Sequence, residues 1–161
     1  MLIGDFDSVD ADIEPVKDKI SYPERKDFSD SEIAVKKAIE KNPDEVVLLG
    51  FTGSRLDHSL ANLTMLKQFS DCGIKACVAD KHNTVYYYKD YFHIKNMNGS
   101  LVSLIPFTKE ITGITTGGLD YPLCGETLYF GQSRGVSNVV VSDDACYKSE
   151  SGEGLIIFSK D

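Results

Sequence analysis

The chain has 161 residues, 42% of them hydrophobic and 26% charged, with a formal net charge of −8. That size and apolar content support one large or two small globular domains and exclude a disordered or fibrous chain. The acidic balance would repel a phosphate backbone, so nucleic acid is not an expected partner, whereas carboxylates suit a hard cation such as Mg2+. No apolar run approaches the roughly 20 residues needed to span a bilayer, and no membrane partner is expected. Residues 1–10 carry neither a basic n-region nor an apolar h-region, so a signal peptide is not expected. Cys72, Cys77, Cys124 and Cys146 show no CxxC spacing. Their pattern predicts a reduced, cytoplasmic chain without disulfides or zinc.

The first half alternates strand and helix signals. Leu2 and Ile3 predict a short strand ending at Gly4. Ser29-Asp30-Ser31-Glu32 reads as a capping box, and the helix behind it carries Ile33, Ala34, Ala38 and Ile39 until Asn42-Pro43 stops it. Val46-Val47-Leu48-Leu49 is a continuous apolar run, the mark of a buried parallel strand, broken by Gly50 and Gly53. A second helix is predicted from near Arg55, with Leu56, Leu60, Leu63 and Leu66 at helical spacing and Gly73 as a left-handed cap. Residues 74–79 predict another strand. This β-α-β-α-β order implies a parallel, Rossmann-like sheet flanked by helices over residues 1–82.

From residue 83 to residue 161 no helix is predicted. Strand candidates fall at 84–88, 92–95, 100–106, 126–130, 136–141, 145–147 and 155–159, separated by Gly, Asn, Asp and Pro. Many short strands with frequent turns predict a β-sandwich or small barrel.

Ligands of open parallel sheets bind beyond the carboxyl ends of the strands, and three polar clusters are predicted there. In Gly4-Asp5-Phe6-Asp7-Ser8, residues two apart in extended chain point the same way, so Asp5 and Asp7 can present two carboxylates to one Mg2+. Taken alone, such a turn also serves as a solvated loop. Lys26-Asp27-Phe28-Ser29-Asp30 precedes a helix, where backbone N–H groups favour anions. Capping accounts for Ser29 and Glu32 but leaves Asp27 unexplained. Gly53-Ser54-Arg55-Leu56-Asp57-His58 offers an arginine able to clamp phosphate oxygens, and His58 and Asn62 share a helix face. An ordinary solvated helix start would look similar. Together the three clusters point to a metal-plus-phosphate site.

These segments, in this order, resemble thiamine pyrophosphokinases. The matching stretches are GDFDS at 4–8, KDFSDSE at 26–32 and GSRLDH at 53–58 with Asn62. SLIPF at 103–107, TTGGLDYPL at 115–123 and GVSN at 135–138 extend the likeness through the second half. The resemblance implies an α/β catalytic domain followed by a β-sandwich that binds thiamine. It also implies a homodimer with composite active sites between the α/β domain of one subunit and the β domain of the other. Asp5, Asp7 and Asp30 would surround Mg2+ and the triphosphate of ATP, with Asp27 supporting them. Ser54, Arg55, Asp57, His58 and Asn62 would line the ATP side. Ser137 and Asn138 would hold the aminopyrimidine of thiamine. Members of the family carry a further strand and helix with an Asp-Gly-Gly loop ahead of GDFDS, which here begins at residue 4.

The implied reaction is attack by thiamine's hydroxyl on the β-phosphorus of ATP, releasing AMP, with Asp57 and Asp30 both open as the group that accepts or orients the proton. Two other readings fit fewer residues. Asp5-Phe6-Asp7-Ser8-Val9 matches the D-x-D-x-V loop of an aspartyl-phosphate phosphatase. A non-catalytic thiamine sensor would use the β half alone.

Overall fold

The computed structural model describes residues 2–4, 19–21 and 29–160. Strand β1 (Leu2–Gly4) pairs in parallel with β2 (Lys19–Ser21). Helix α1 (Asp30–Glu40) starts where the sequence predicts, because the Ser29 hydroxyl accepts the Glu32 N–H at 3.2 Å. The Glu32 side chain does not complete the box; it pairs with Lys36 one turn on, at 3.0 Å. Then come β3 (Glu45–Leu49), α2 (Leu56–Thr64), α3 (Leu66–Asp71) and β4 (Lys75–Ala79), with β3 and β4 parallel. The single helix predicted from Arg55 is two, divided at Met65, and α3 ends at the left-handed Gly73 (φ +71°).

The second half is strand throughout among the described residues: β5 (Asn83–Lys95), β6 (Leu101–Pro106), β7 (Glu110–Gly117), β8 (Cys124–Tyr129), β9 (Asn138–Val139) and β10 (Asp144–Ser159). Two pairs of predicted short strands are single long ones, β5 and β10, and β7 was not predicted. Its sequence, Glu-Ile-Thr-Gly-Ile-Thr-Thr-Gly, holds two glycines that read as turn signals. The apolar face of Ile111 and Ile114 nevertheless pulls it into the core.

The sheets differ from a separate parallel layer followed by a sandwich. Antiparallel pairing of β4 with β5 carries one mixed sheet from the first half into the second, in the order β3-β4-β5-β10-β6-β9. β10 is the branch point. Its first part pairs with β5 and β7, its last part with β5 and β6, and its register against β5 shifts between Lys148 and Glu153. Alternation along β10 feeds two cores. Leu155 joins Val35, Leu48, Leu66, Phe69, Val78 and Val85 on the helix side. Ile156 and Phe158 join Tyr88, Val102, Leu104, Ile111 and Leu128 on the other.

The apolar run of β3 predicts burial on both faces, yet only Leu48 is buried, while Val47 is 56% and Leu49 73% exposed. β3 ends the strand order, and the side chains that cover it come from the Leu48 face. Leu56 and Leu60 are exposed for a related reason: the packing surface of the helical segment runs through Leu66 and Phe69 instead.

Ile156 is fully buried and sits opposite Tyr86 on one side and Leu104 on the other. Truncating it should cost about 2–5 kcal/mol. Ile156→Ala is therefore expected to lower the midpoint of chemical denaturation sharply, whereas Val141→Ala, at a half-exposed position, leaves it nearly unchanged.

Candidate functional site

Apart from Asp30, the predicted residues that the structure describes fall into two regions. The first is the turn from β3 into α2. Three side chains brace its backbone. Asn62 Nδ2 donates to the Phe51 carbonyl at 2.9 Å, the Gly53 N–H donates to Ser59 Oγ at 3.1 Å, and Thr52 Oγ1 donates to Asp80 at 2.8 Å. Asn62 is thus buried and engaged with the turn, while Ser54, Arg55, Asp57 and His58 stand exposed on its outer side. Arg55 and Asp57 form a two-pronged ion pair, Nε to Oδ1 at 3.3 Å and a terminal nitrogen to Oδ2 at 2.8 Å. The guanidinium, with help from the His58 backbone N–H, lowers the Asp57 carboxyl to about 2.

Ser59 and Asp80 were not predicted. The rule that singled out Asp5 and Asp7 also applies to Asp80, which directly follows β4. Its carboxylate accepts from the His82 and Asn83 N–H groups as well as from Thr52, and these bonds hold it below the usual carboxylate range.

Of the predicted acidic site, Asp30 occupies the first position of α1, next to the Ser29 cap. Asp5, Asp7 and Asp27 lie outside the described residues. Among the described residues no group of three His, Cys, Asp or Glu side chains is placed to hold a metal ion.

The second region is a cavity of about 350 Å³ in the β half, which brings together both residues predicted for thiamine, Ser137 and Asn138. The GVSN segment forms one wall. Gly135 is required there, because a Cβ would lie 2.3 Å from the Leu104 carbonyl. Ser137 takes the left-handed conformation (φ +59°), and its N–H donates to Ser103 Oγ at 3.0 Å. A non-glycine residue held at positive φ is strain that surrounding bonds must maintain, a frequent feature of binding sites. Ser103 belongs to the SLIPF stretch, so two motifs far apart in sequence meet here. The TTGGLDYPL stretch contributes Tyr121 and Leu123 to the lining, the latter anchored through Thr116, whose hydroxyl accepts the Leu123 N–H at 2.9 Å. Arg134 also lines the cavity, with its guanidinium forked onto Glu126 at 3.0–3.1 Å.

Tyr147, almost fully buried, also lines the cavity. Burial pushes its phenol pKa up, and its hydroxyl has no hydrogen-bond partner. The neighbouring Tyr88 satisfies its own hydroxyl on Ser149 at 2.9 Å. A larger groove of about 620 Å³ along β5 contains none of the predicted residues.

Comparison with known proteins finds two family models along the chain. Residues 1–78 match the family model of the thiamin pyrophosphokinase catalytic domain, and residues 91–152 match that of the thiamin pyrophosphokinase vitamin B1 binding domain. Thiamine pyrophosphokinase from Bacillus subtilis is 30% identical over 165 aligned residues, covering 98% of this chain and 77% of that protein. The chain belongs to the thiamin pyrophosphokinase family. Thiamin pyrophosphokinase 1 from Caenorhabditis elegans is 26% identical, with 99% of this chain and 68% of that protein covered. The crystal structure of the Bacillus subtilis protein superposes with a TM-score of 0.80 at 31% identity, over 85% of this chain and 65% of that one. That of thiamin pyrophosphokinase from Geobacillus thermodenitrificans gives 0.84 at 26% identity, over 99% and 76%. Every lining residue of the cavity lies within the vitamin B1 binding match, and Asp30, Ser54, Arg55, Asp57, His58 and Asn62 lie within the catalytic match.

Asp57 offers a direct check on the exposed ion pair. With its folded pKa depressed to about 2, any stability it contributes is present above the unfolded carboxylate value and disappears as pH falls toward 2. Both partners are exposed, and such pairs contribute little. Asp57→Asn should lower the thermal midpoint only slightly across roughly pH 5–8, and that small difference from the parent should vanish as pH falls from about 4 toward 2. A clear loss at neutral pH would show that the pair organises the turn.

Proposed function

We propose that the chain is a thiamine diphosphokinase, transferring pyrophosphate from ATP to the hydroxyl of thiamine to give thiamine diphosphate and AMP. One observation carries this reading. The catalytic and vitamin B1 binding models match in that order, and the second match contains a cavity built around the GVSN segment.

Residues 1–82 form the ATP-binding part in this reading, a Rossmann-like unit. Residues 83–161 form the thiamine-binding part, a β-sandwich arranged around β10. The interval from 79 to 90, between the two matched stretches, accommodates that boundary. Asp5, Asp7 and Asp30 would hold Mg2+, with Asp27 behind them. The one described member of that set, Asp30, is a hard oxygen donor, as Mg2+ requires. Supporting the grouping, β1 and β2 are parallel, so their carboxyl ends share an edge, and Asp5 directly follows β1 in the chain. When bound, Mg2+ screens the polyphosphate charge and the charge developing on the leaving AMP.

The chain's own groups supply position and charge. Arg55 would exchange Asp57 for a phosphate oxygen, keeping a two-pronged, charge-assisted contact throughout. Ser54 and His58 would line the same side of ATP, with Asn62 holding the turn beneath them. Before ATP arrives, Asp57 would orient Arg55 through their ion pair. Either Asp30 or Asp57 would orient the hydroxyl. Ser137 would hydrogen-bond the aminopyrimidine. A homodimer with composite clefts completes the reading, and the exposed Tyr129 and Phe130 supply apolar surface for a partner to cover. A cytoplasmic setting agrees with four free cysteines and with the lack, among the described residues, of a helix long and apolar enough to cross a membrane.

Incubating the full chain with thiamine, ATP and Mg2+ should yield AMP and thiamine diphosphate in equal amounts. Saturable thiamine binding without AMP would instead identify a sensor, and orthophosphate from simple phosphoesters a phosphatase. Asp7→Asn should reduce turnover by about 100-fold or more with an unchanged circular dichroism spectrum. Ser137→Ala, which deletes one neutral hydrogen bond, should raise the thiamine KM about threefold to tenfold and leave the ATP KM alone.

A further inference from the structure

The turn from β3 into α2 is braced in two different ways. Asn62 and Ser59 hold it from the helix that follows, so they set its shape. Thr52 reaches instead to a different strand end, where its hydroxyl donates to Asp80 Oδ2 at 2.8 Å. Leu49 and Ala79 are register partners in the parallel pair of β3 and β4, so this bridge joins the loops that leave two neighbouring strands at their carboxyl ends. That is the edge beyond which open sheets bind their ligands. Asp80 is itself anchored. Oδ1 accepts the His82 N–H at 2.8 Å and the Asn83 N–H at 2.7 Å, and the Asp80 N–H donates to the Asn83 carbonyl at 2.9 Å. Residues 82 and 83 are fixed in turn at the end of β10, where the Lys160 N–H donates to the His82 carbonyl at 2.8 Å and Ser159 Oγ donates to Asn83 Oδ1 at 3.1 Å. The bridge from Thr52 to Asp80 lies at the surface. Water would satisfy the hydroxyl and the carboxylate there, so the bond adds little to folding. Its consequence is geometric, because it sets where the turn stands against the sheet edge.

We infer that Asp80 is a positioning residue for ATP, acting through Thr52 to place the turn that carries Ser54 and Arg55. This rests on the reading of that turn as the ATP side of the site. An arginine grips phosphate oxygens with two prongs only when its backbone stands at the right distance and angle, and a displacement of about 1 Å is enough to lose productive alignment. The ion pair of Arg55 with Asp57 cannot supply that placement, because both partners travel with the turn and the start of α2. Asp80 can, because its loop is anchored between β4 and the end of β10.

The separate KM values for ATP and thiamine, measured on the full chain with Mg2+ and read beside the denaturation midpoint, test the assignment. Thr52→Val removes the hydroxyl and keeps every bond between Asp80 and the start of β5. It should raise the ATP KM about threefold to tenfold, with the thiamine KM and the midpoint unchanged. Thr52→Ser keeps the hydroxyl and should restore the ATP KM. Asp80→Ala should raise the ATP KM at least as far as Thr52→Val does. The double variant Thr52→Val/Asp80→Ala should be no worse than Asp80→Ala alone, since the hydroxyl then has no partner. Multiplying effects in the double variant would mean that Asp80 acts on the nucleotide independently of Thr52, and would overturn its positioning role. If Asp80→Ala does not fold, the contrast between Thr52→Val and Thr52→Ser decides the question. An unchanged ATP KM in Thr52→Val, beside a parent that turns over both substrates, would overturn this inference alone. So would a loss in both KM values together with the midpoint, which would mark the bond as a contact of the fold only. A parent that neither binds ATP nor releases AMP would overturn the functional assignment and this inference with it.

Discussion

The backbone pairing of β10 is the constraint on which the remainder of the molecule depends. A strand bonded on both edges cannot slip by one residue without turning every side chain to the opposite face. Here a slip would carry Leu155 out of the core shared with Phe69 and Val78. The same slip would carry Ile156 and Phe158 out of the core shared with Tyr88 and Leu104. Because β5 runs alongside β10 for nearly its whole length, the two strands act as a common wall between the helical side and the β side. The rest of the fold is attached to that wall: β4 and its helices through β5, β6 and β9 at one end of β10, and β7 and β8 at the other.

The two functional regions inherit their rigidity from this arrangement in different ways. The turn ahead of α2 is braced locally, by Asn62 and Ser59 from the helix that follows and by Asp80 from the end of β4. Its exposed outer face can therefore carry charges such as the Arg55–Asp57 pair on a fixed backbone. The cavity is braced by contacts between distant segments. Ser103 holds Ser137, Asn138 holds Tyr121, and Thr116 holds Leu123. A cavity for flat aromatic rings profits from walls that are fixed before a ligand arrives. A site that grips a flexible polyphosphate profits more from charges on adjustable side chains.

Within the catalytic half, the ionisation states sort residues that look alike in sequence. Asp57 and Asp80 are both carboxylates near strand ends, and both are held in the charged form. The first is held chiefly by a guanidinium, the second chiefly by backbone N–H groups and a threonine hydroxyl. Asp57 thus belongs to the charge balance of the outer face, whereas Asp80 is a structural fastener. The buried, unpartnered hydroxyl of Tyr147 is the one polar atom of its kind among the described residues.

Much of this was legible from residue order. The serine cap of α1, the parallel β3 and β4, the left-handed Gly73 and the change to all-strand structure after residue 82 follow from local rules. Such rules need only the neighbours in the chain: a hydroxyl three residues before an N–H, a run of apolar residues, a residue without a Cβ. The motifs GDFDS, GSRLDH and GVSN likewise identified the family. Local signals failed where neighbours in space outweigh neighbours in sequence. The glycines of β7 suggested turns, but core contacts of Ile111 and Ile114 made a strand. The breaks expected within β5 and β10 vanished because each strand has a long partner to pair with. Asn62 and Asn138 read as ligand-binding amides, and the folded chain adds that their side chains bond the backbone of Phe51 and Tyr121. Sequence by itself determined which chemistry is available and roughly where. Tertiary structure alone decided which polar atoms are already satisfied, because hydrogen-bond partners 11 or 17 residues away are chosen by packing.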